Sequence, residues 1–132
     1  MQTQTRREAL QRILAQGGGA PEAAIGLWRR VAACLAPVLG RRGVDALFSR
    51  ALHVAARFCP WLAMEGEAAA PLAGFRARLE ACDPAAAQEA SLTLLTTFTD
   101  LLETLIGSSL TDRLLAPVWA LAAPGSEPEA TA

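Results

Sequence analysis

Residues 90–121 read ASLTLLTTFTDLLETLIGSSLTDRLLAPVWAL, the densest apolar stretch of the chain and the one that decides its fold. Large apolar side chains recur here at steps of three or four, which is the period of an amphipathic helix. The stripe and its flanks comprise Leu92, Leu95, Phe98, Leu102 and Leu105, with Leu94, Leu101 and Ile106 beside them. So wide a stripe predicts a long helix at the centre of the molecule that ends at Gly107.

A shorter helix is expected to restart directly after Gly107. Ser109 and Asp112 have the spacing of a capping box, in which two side chains bond the first free N–H groups of a helix. The apolar side of this last helix consists of Leu110, Leu114, Val118 and Leu121. Residues 123–132 contain no apolar residue larger than Ala, a composition that predicts disorder.

The long helix has a strong start signal, since Asp83 is a favourable N-cap and Pro84 suits the first turn. Before it, residues 71–81 predict a short helix in which Arg76 and Glu80 pair at i, i+4. Residues 64–70, MEGEAAA, predict a loop.

Residues 21–58 predict two helices joined by a short turn. Pro21 suits a first turn, and Pro37 is expected to kink or end the helix that follows it. Helical periodicity resumes near Arg41, just after Gly40, and continues to Phe58. So short a connection favours an antiparallel αα-hairpin.

The N-terminal segment predicts a separate helix over about residues 6–16. Thr5 and Glu8 have capping-box spacing, and the helix would show Leu10, Ile13 and Leu14 to a partner. Three glycines at 17–19 end it and form a flexible hinge. We therefore predict an all-α, single-domain bundle of five to six helices over residues 1–122, up-down with short connections, to which this helix is appended at an open position.

The composition leaves few reactive groups. All 12 basic residues are Arg, as expected from a GC-rich coding background, and the chain has one His and three Cys. Cys34, Cys59 and Cys82 lack the paired spacing of a metal site. In the predicted hairpin, Cys34 and Cys59 would lie roughly 20 Å apart, too far for a disulfide. We expect reduced thiols packed in the core.

Charge is distributed unevenly along the chain. Residues 1–57 hold nine Arg against three acids, whereas residues 58–132 hold three Arg against ten acids. The simpler interpretation is that the two halves pack against each other; the alternative is a basic patch for an acidic partner, formed by Arg29, Arg30, Arg41 and Arg42. Residues 35–49 match a helix-turn-helix poorly, so nucleic-acid binding by this patch is the weaker hypothesis.

Three further candidate sites each have a structural alternative. His53 is flanked by Ser49 and Arg57 on its helix, but an orienting acid for a catalytic triad is lacking nearby. Small hydroxyl residues on the long helix predict a helix–helix interface formed by Thr93, Thr96, Thr97 and Asp100. Aromatic residues from several helices either build the core or line a small-molecule pocket formed by Trp28, Phe58, Trp61, Phe98 and Trp119.

These patterns lack phosphate loops, paired catalytic carboxylates and nucleophile elbows, which favours a non-enzymatic protein without a cofactor or metal. We expect a cytoplasmic interaction or regulatory module of bacterial signalling, whose partner is a protein and first of all a second copy of this chain. No signal peptide or membrane span is expected from the charge distribution. The alternatives are a sensory domain that binds an apolar small molecule, and weak nucleic-acid binding.

Overall fold

The computed structural model describes residues 3–16, 21–58 and 71–121, which form helices and contain no strand. The helices are α1 (Thr3–Gln16), α2 (Pro21–Ala55), α3 (Pro71–Glu80), α4 (Pro84–Ile106), α5 (Ser108–Leu114) and α6 (Ala116–Ala120). The predicted all-α bundle is confirmed. Several predicted features lie outside the described residues, namely the hinge 17–19, the loop 64–70, the tail 123–132, Cys59 and Trp61.

The predicted αα-hairpin is present within α2, which folds back on itself at Gly40. An uninterrupted helix would separate Trp28 from Phe48 by about 30 Å. Their ring centroids lie 4.5 Å apart, so the two limbs must be antiparallel neighbours. Gly40 has φ 77° and ψ 159°, a conformation open almost only to glycine. The chain therefore reverses three residues after Pro37, where the glycine permits it.

By length and hydropathy, α2 is the one helix in the described ranges that passes a test for crossing a membrane. The core helix of a soluble protein can have the same length and hydropathy. α2 reaches its 35 residues only with both limbs of the hairpin, between which the chain turns at Gly40.

α4 is the central helix, as predicted. The carboxylate of Asp83 accepts the N–H of Ala86 at 2.7 Å, and Pro84 occupies the first turn. Most of the predicted stripe is buried, namely Leu92, Leu95, Phe98 and Leu102. Leu105 is the exception: its side chain is 66% exposed, in the last turn of α4 before Gly107.

Gly107 divides α4 from α5 as predicted, with φ 90° and ψ 159°. The predicted capping box of Ser109 and Asp112 is wrong, because α5 begins at Ser108 and its N-cap, Gly107, has no side chain to bond. The carboxylate of Asp112 is engaged elsewhere, by Arg6 of α1.

The last predicted helix is two short helices that meet at Leu115. Pro117 lacks the N–H that would continue the hydrogen-bond ladder of α5. The buried side of this segment is formed by Thr111, Leu115 and Val118. The predicted stripe through Leu110 and Leu114 is therefore rotated by one residue, and Leu110 is exposed.

α1 packs along α4, which decides the docking position that the sequence left open. Leu10 and Leu14 are buried in this contact. The helix begins at Thr3, so Thr5 lies inside it and is not the predicted N-cap. At the other end of α1, the Gln16 amide donates a hydrogen bond to the Leu121 carbonyl at 3.3 Å.

α3 covers one side of the hairpin. The Phe75 side chain is fully buried, with its ring centroid 6.0 Å from that of Phe48. The predicted pair of Arg76 and Glu80 is present at 3.3 Å. Arg76 also forms an ion pair with Glu22 of α2, which ties α3 to the start of the hairpin.

Candidate functional site

A fully buried arginine lies where α1 meets the corner between α4 and α5. Arg6 donates from Nη1 to Glu103 Oε1 at 2.6 Å, from Nε to Asp112 Oδ1 at 3.1 Å and from Nη2 to Ser108 Oγ at 2.8 Å. Its side chain is 1% exposed, against 35% for Glu103 and 21% for Asp112. The Arg6 guanidinium thus joins α1 to the last turn of α4, through Glu103, and to α5, through Ser108 and Asp112.

Opposing effects set the ionisation of this cluster. Burial lowers the pKa of Arg6, but the hydrogen bonds and charges of Asp112 and Glu103 outweigh it, so the net pKa is raised. Burial alone raises the pKa of Asp112, yet its net pKa is lowered, and the bond and charge of Arg6 are among the causes. An arginine that stays protonated cannot act as a base. The Arg6 guanidinium therefore joins the helices and does not accept a proton.

Sequence reasoning missed Arg6, although a signal for it was present. Positions 6, 10 and 14 follow a spacing of four, which places Arg6 on the same side of α1 as the buried Leu10 and Leu14. An arginine in an apolar stripe has to find carboxylates within the fold. The periodicity of α1 could have indicated its burial, but not which acids it meets.

The predicted basic patch is exposed on α2. Arg29 and Arg30 lie on the first limb of the hairpin, and Arg41 and Arg42 lie directly after the turn at Gly40. Arg30 lies ten residues before Gly40, so the first pair is about 15 Å along the limb from the turn that carries the second pair. The patch is therefore two basic pairs, one on the limb and one at the turn.

Ion pairs between the basic and acidic halves involve only part of the basic set. Arg6 binds Glu103 and Asp112, and Glu22 binds Arg76. Within residues 3–16, 21–58 and 71–121, no ion pair involves the basic side chains of α2, namely Arg29, Arg30, Arg41, Arg42 and Arg50. Among the described residues, the ion pairs between the two halves of the chain thus leave the positive charges of the α2 arginines exposed to solvent.

The predicted helix–helix interface forms a half-exposed strip along α4. Thr93, Thr96, Thr97 and Asp100 are each partly accessible. The Thr97 hydroxyl donates to the Thr93 carbonyl at 2.8 Å, and the Thr104 hydroxyl donates to the Asp100 carbonyl at 3.0 Å. Hydroxyl groups bonded back to their own helix leave methyl groups on this strip, which permits close approach of another helix.

Two members of the predicted aromatic pocket lie in direct contact. Trp28 and Phe98 have ring centroids 4.9 Å apart in an edge-to-face arrangement, and Trp28 packs in the same way on Phe48. Phe58 is 73% exposed at the end of the hairpin, and Trp119 is half-buried in α6. The Trp28 and Phe98 rings are therefore packed against other rings, as in a protein core, whereas Phe58 lies outside this packing.

A small cavity of about 10 Å³ lies away from these rings, at the start of the hairpin. It has the size of one water molecule. The buried Ser91 hydroxyl lines it and has no hydrogen-bond partner within the described part of the chain. The other lining residues are Leu14, Ala23, Ala24, Leu79, Ala87 and Gln88.

The remaining candidates are isolated. His53 is exposed on the second limb of α2. Cys34 and Cys82 are free and half-buried, and burial together with the nearby Asp83 charge raises the pKa of the Cys82 thiol. In the described ranges, no group of three or more His, Cys, Asp or Glu side chains could hold a metal ion.

Comparison with protein-family models, curated proteins and solved structures found no match for this chain.

Proposed function

We propose that this protein is a non-enzymatic helical interaction module that binds other protein chains in the cytoplasm, in the regulation of a bacterial signalling process. The observation that carries the proposal is the exposed basic surface of α2. Arg29, Arg30, Arg41 and Arg42 all face solvent and have no ion pair among residues 3–16, 21–58 and 71–121. Arginine is enriched at protein interfaces, where its planar group forms several hydrogen bonds at once.

The interior supports a surface function over the sensory alternative. Trp28 and Phe98 are buried against each other, so a ligand between the helices would have to separate them. The cavity beside Ser91 has room for about one water molecule. Binding at the surface requires no such rearrangement.

The first partner we propose is a second copy of the chain, bound through the strip on α4. Within the strip, Thr93, Thr97 and Asp100 follow helical spacing along one side of α4, and Thr104 continues that side by one turn. Two such strips can pack closely, since Thr97 and Thr104 turn their hydroxyl groups back to the helix backbone. A homodimer of this kind buries α4 against its own copy.

Light scattering of the full chain at two widely separated concentrations tests the homodimer. We expect the mass of a dimer at the higher concentration, and a shift to monomer for Thr97→Arg, which places a long charged side chain in the strip. Gln11→Arg is the matched control, because Gln11 is exposed on α1. A monomer at both concentrations, or equal behaviour of the two variants, would exclude this interface.

A further inference from the structure

The turn of the α2 hairpin carries apolar and basic side chains together. We define the hairpin tip as residues 36–42. Pro37 is exposed, Val38 is 52% exposed, and Arg41 and Arg42 follow within one turn of the chain. An apolar surface bordered by arginines is the composition of a protein interface.

The hairpin tip lies at the same end of the bundle as the corner at Gly107. Ala24 and Ala87 line one cavity, and further along both helices Trp28 contacts Phe98, so the first limb of α2 and α4 run in the same direction. Val38 lies about 15 Å beyond Trp28 along the helix axis. Gly107 lies about 13 Å beyond Phe98, toward the same end.

The corner adds two exposed leucines to this end. Leu105 is 66% exposed and Leu110 is 37% exposed, one on each side of Gly107. Leu105 continues the side of α4 on which Phe98 and Leu102 are fully buried. The apolar stripe of the central helix thus runs past the part that its own neighbours cover.

We propose that this end of the bundle binds an acidic protein segment that also presents apolar side chains. Val38, Leu105 and Leu110 would be covered, while Arg41 and Arg42 would bind carboxylates with paired hydrogen bonds. The proposal rests on the function proposed above and deepens it, because it names the class of partner that binds the Arg41 and Arg42 end of the basic surface.

Charge and composition select this partner over the others. Two copies meeting tip to tip would bring Arg41 and Arg42 of both chains together, and like charges repel. Nucleic acid phosphates would pair with the arginines but would leave the aliphatic side chains without a partner. Trp and Tyr are the residues that favour a membrane interface. The chain has no Tyr, and among the described residues no exposed side chain at this end is Trp.

Selection from a display library of short random peptides on the immobilised full chain tests the proposal. We expect enrichment of peptides that combine Asp or Glu with Leu, Ile or Phe. Binding of a synthesised selected peptide should weaken by about tenfold or more in the variant with Arg41→Glu and Arg42→Glu, and likewise in Leu105→Ser.

The matched control carries Arg29→Glu and Arg30→Glu, the same charge change on the first limb of α2, where Arg30 lies about 15 Å along the limb from Gly40. It should bind the peptide almost as the parent does. Equal losses in both double variants would show diffuse attraction and overturn the proposal, as would enrichment of basic or uncharged peptides or no enrichment. Stronger retention on phosphatidylserine vesicles or duplex DNA than on the peptide would also overturn it.

Failure here is separate from failure of the homodimer. The light-scattering test depends on α4 and Thr97, whereas the peptide test depends on the hairpin tip. A monomer that binds acidic peptides would contradict the homodimer and support this inference.

Discussion

Arg6 shows how one residue can determine the position of a whole helix. Leu10 and Leu14 of α1 are buried, but apolar contacts are non-directional and would tolerate a shift of α1 along α4. The Arg6 guanidinium meets Glu103, Asp112 and Ser108 at 2.6 to 3.1 Å. Away from these partners it would be a buried charge without compensation, so it selects one docked position of α1.

We predict that Arg6→Ala lowers the free energy of unfolding by about 2–3 kcal/mol, less than for a fully buried pair because Glu103 and Asp112 retain contact with water. Arg7→Ala removes the same charge from the neighbouring exposed position and should change stability by less than about 0.5 kcal/mol. Chemical denaturation of both variants measures the difference. Similar losses for the two would mean that the Arg6 cluster does not stabilise the fold.

At the scale of elements, two turns in the described part of the chain use the same backbone conformation. Gly40 and Gly107 have φ of 77° and 90° with ψ of 159° in both, and each joins two helical segments directly. This region of φ and ψ is essentially restricted to glycine. An added Cβ would meet no atom within 4 Å at either position. Backbone conformation, and not space, therefore requires glycine at these turns.

Gly40→Ala and Gly107→Ala should each lower the free energy of unfolding by about 1–3 kcal/mol through backbone strain. Gly26→Ala is the control, since Gly26 lies inside the helical limb and also has free space around it. It should raise stability by about 0.5–1 kcal/mol, because alanine loses less conformational freedom in a helix. Thermal denaturation reports all three, and a loss in Gly26→Ala equal to the others would contradict the strain argument.

At the scale of the whole molecule, aromatic rings and one charged cluster connect the helices at different levels. Trp28, Phe48, Phe75 and Phe98 join α2, α3 and α4 through edge-to-face contacts with centroids 4.5 to 6.0 Å apart. The Arg6 cluster joins α1 to α4 and α5 at the end of the bundle. Global stability should thus respond to the ionisation of the cluster.

Acid should weaken the whole fold through Asp112. Its folded-state pKa lies below the unfolded value of about 3.9, so the ionised form contributes stability above that value and loses it as pH falls through the folded pKa. We expect stability to decline below about pH 5 and to decline less steeply in Asp112→Asn, which is less stable at neutral pH. Denaturation midpoints across this range measure the slope. Asp45→Asn, at an exposed position on α2, should keep the parent slope, and an unchanged slope in Asp112→Asn would refute the linkage.

Local signals correctly predicted the start and end of α4 and the turn at Gly40, because they act within a few residues. Asp83 caps α4 through its own side chain, Gly107 ends that helix through its own backbone, and Gly40 permits the hairpin turn. Apolar periodicity likewise located the central helix. The predicted capping boxes at Thr5 and Ser109 are wrong, because α1 begins earlier, at Thr3, and α5 begins at Ser108 after Gly107, which has no side chain to form a cap.

The sequence by itself therefore determined which segments are helical, where they turn and which helix is central. Only the tertiary structure decided that α1 docks on α4, that Arg6 is buried against Glu103 and Asp112, and that Leu105 is exposed. Turn and cap energies depend on a residue and its immediate neighbours. Desolvation depends on which side chains distant in the sequence cover a group, and for Arg6 those lie roughly 100 positions along the chain.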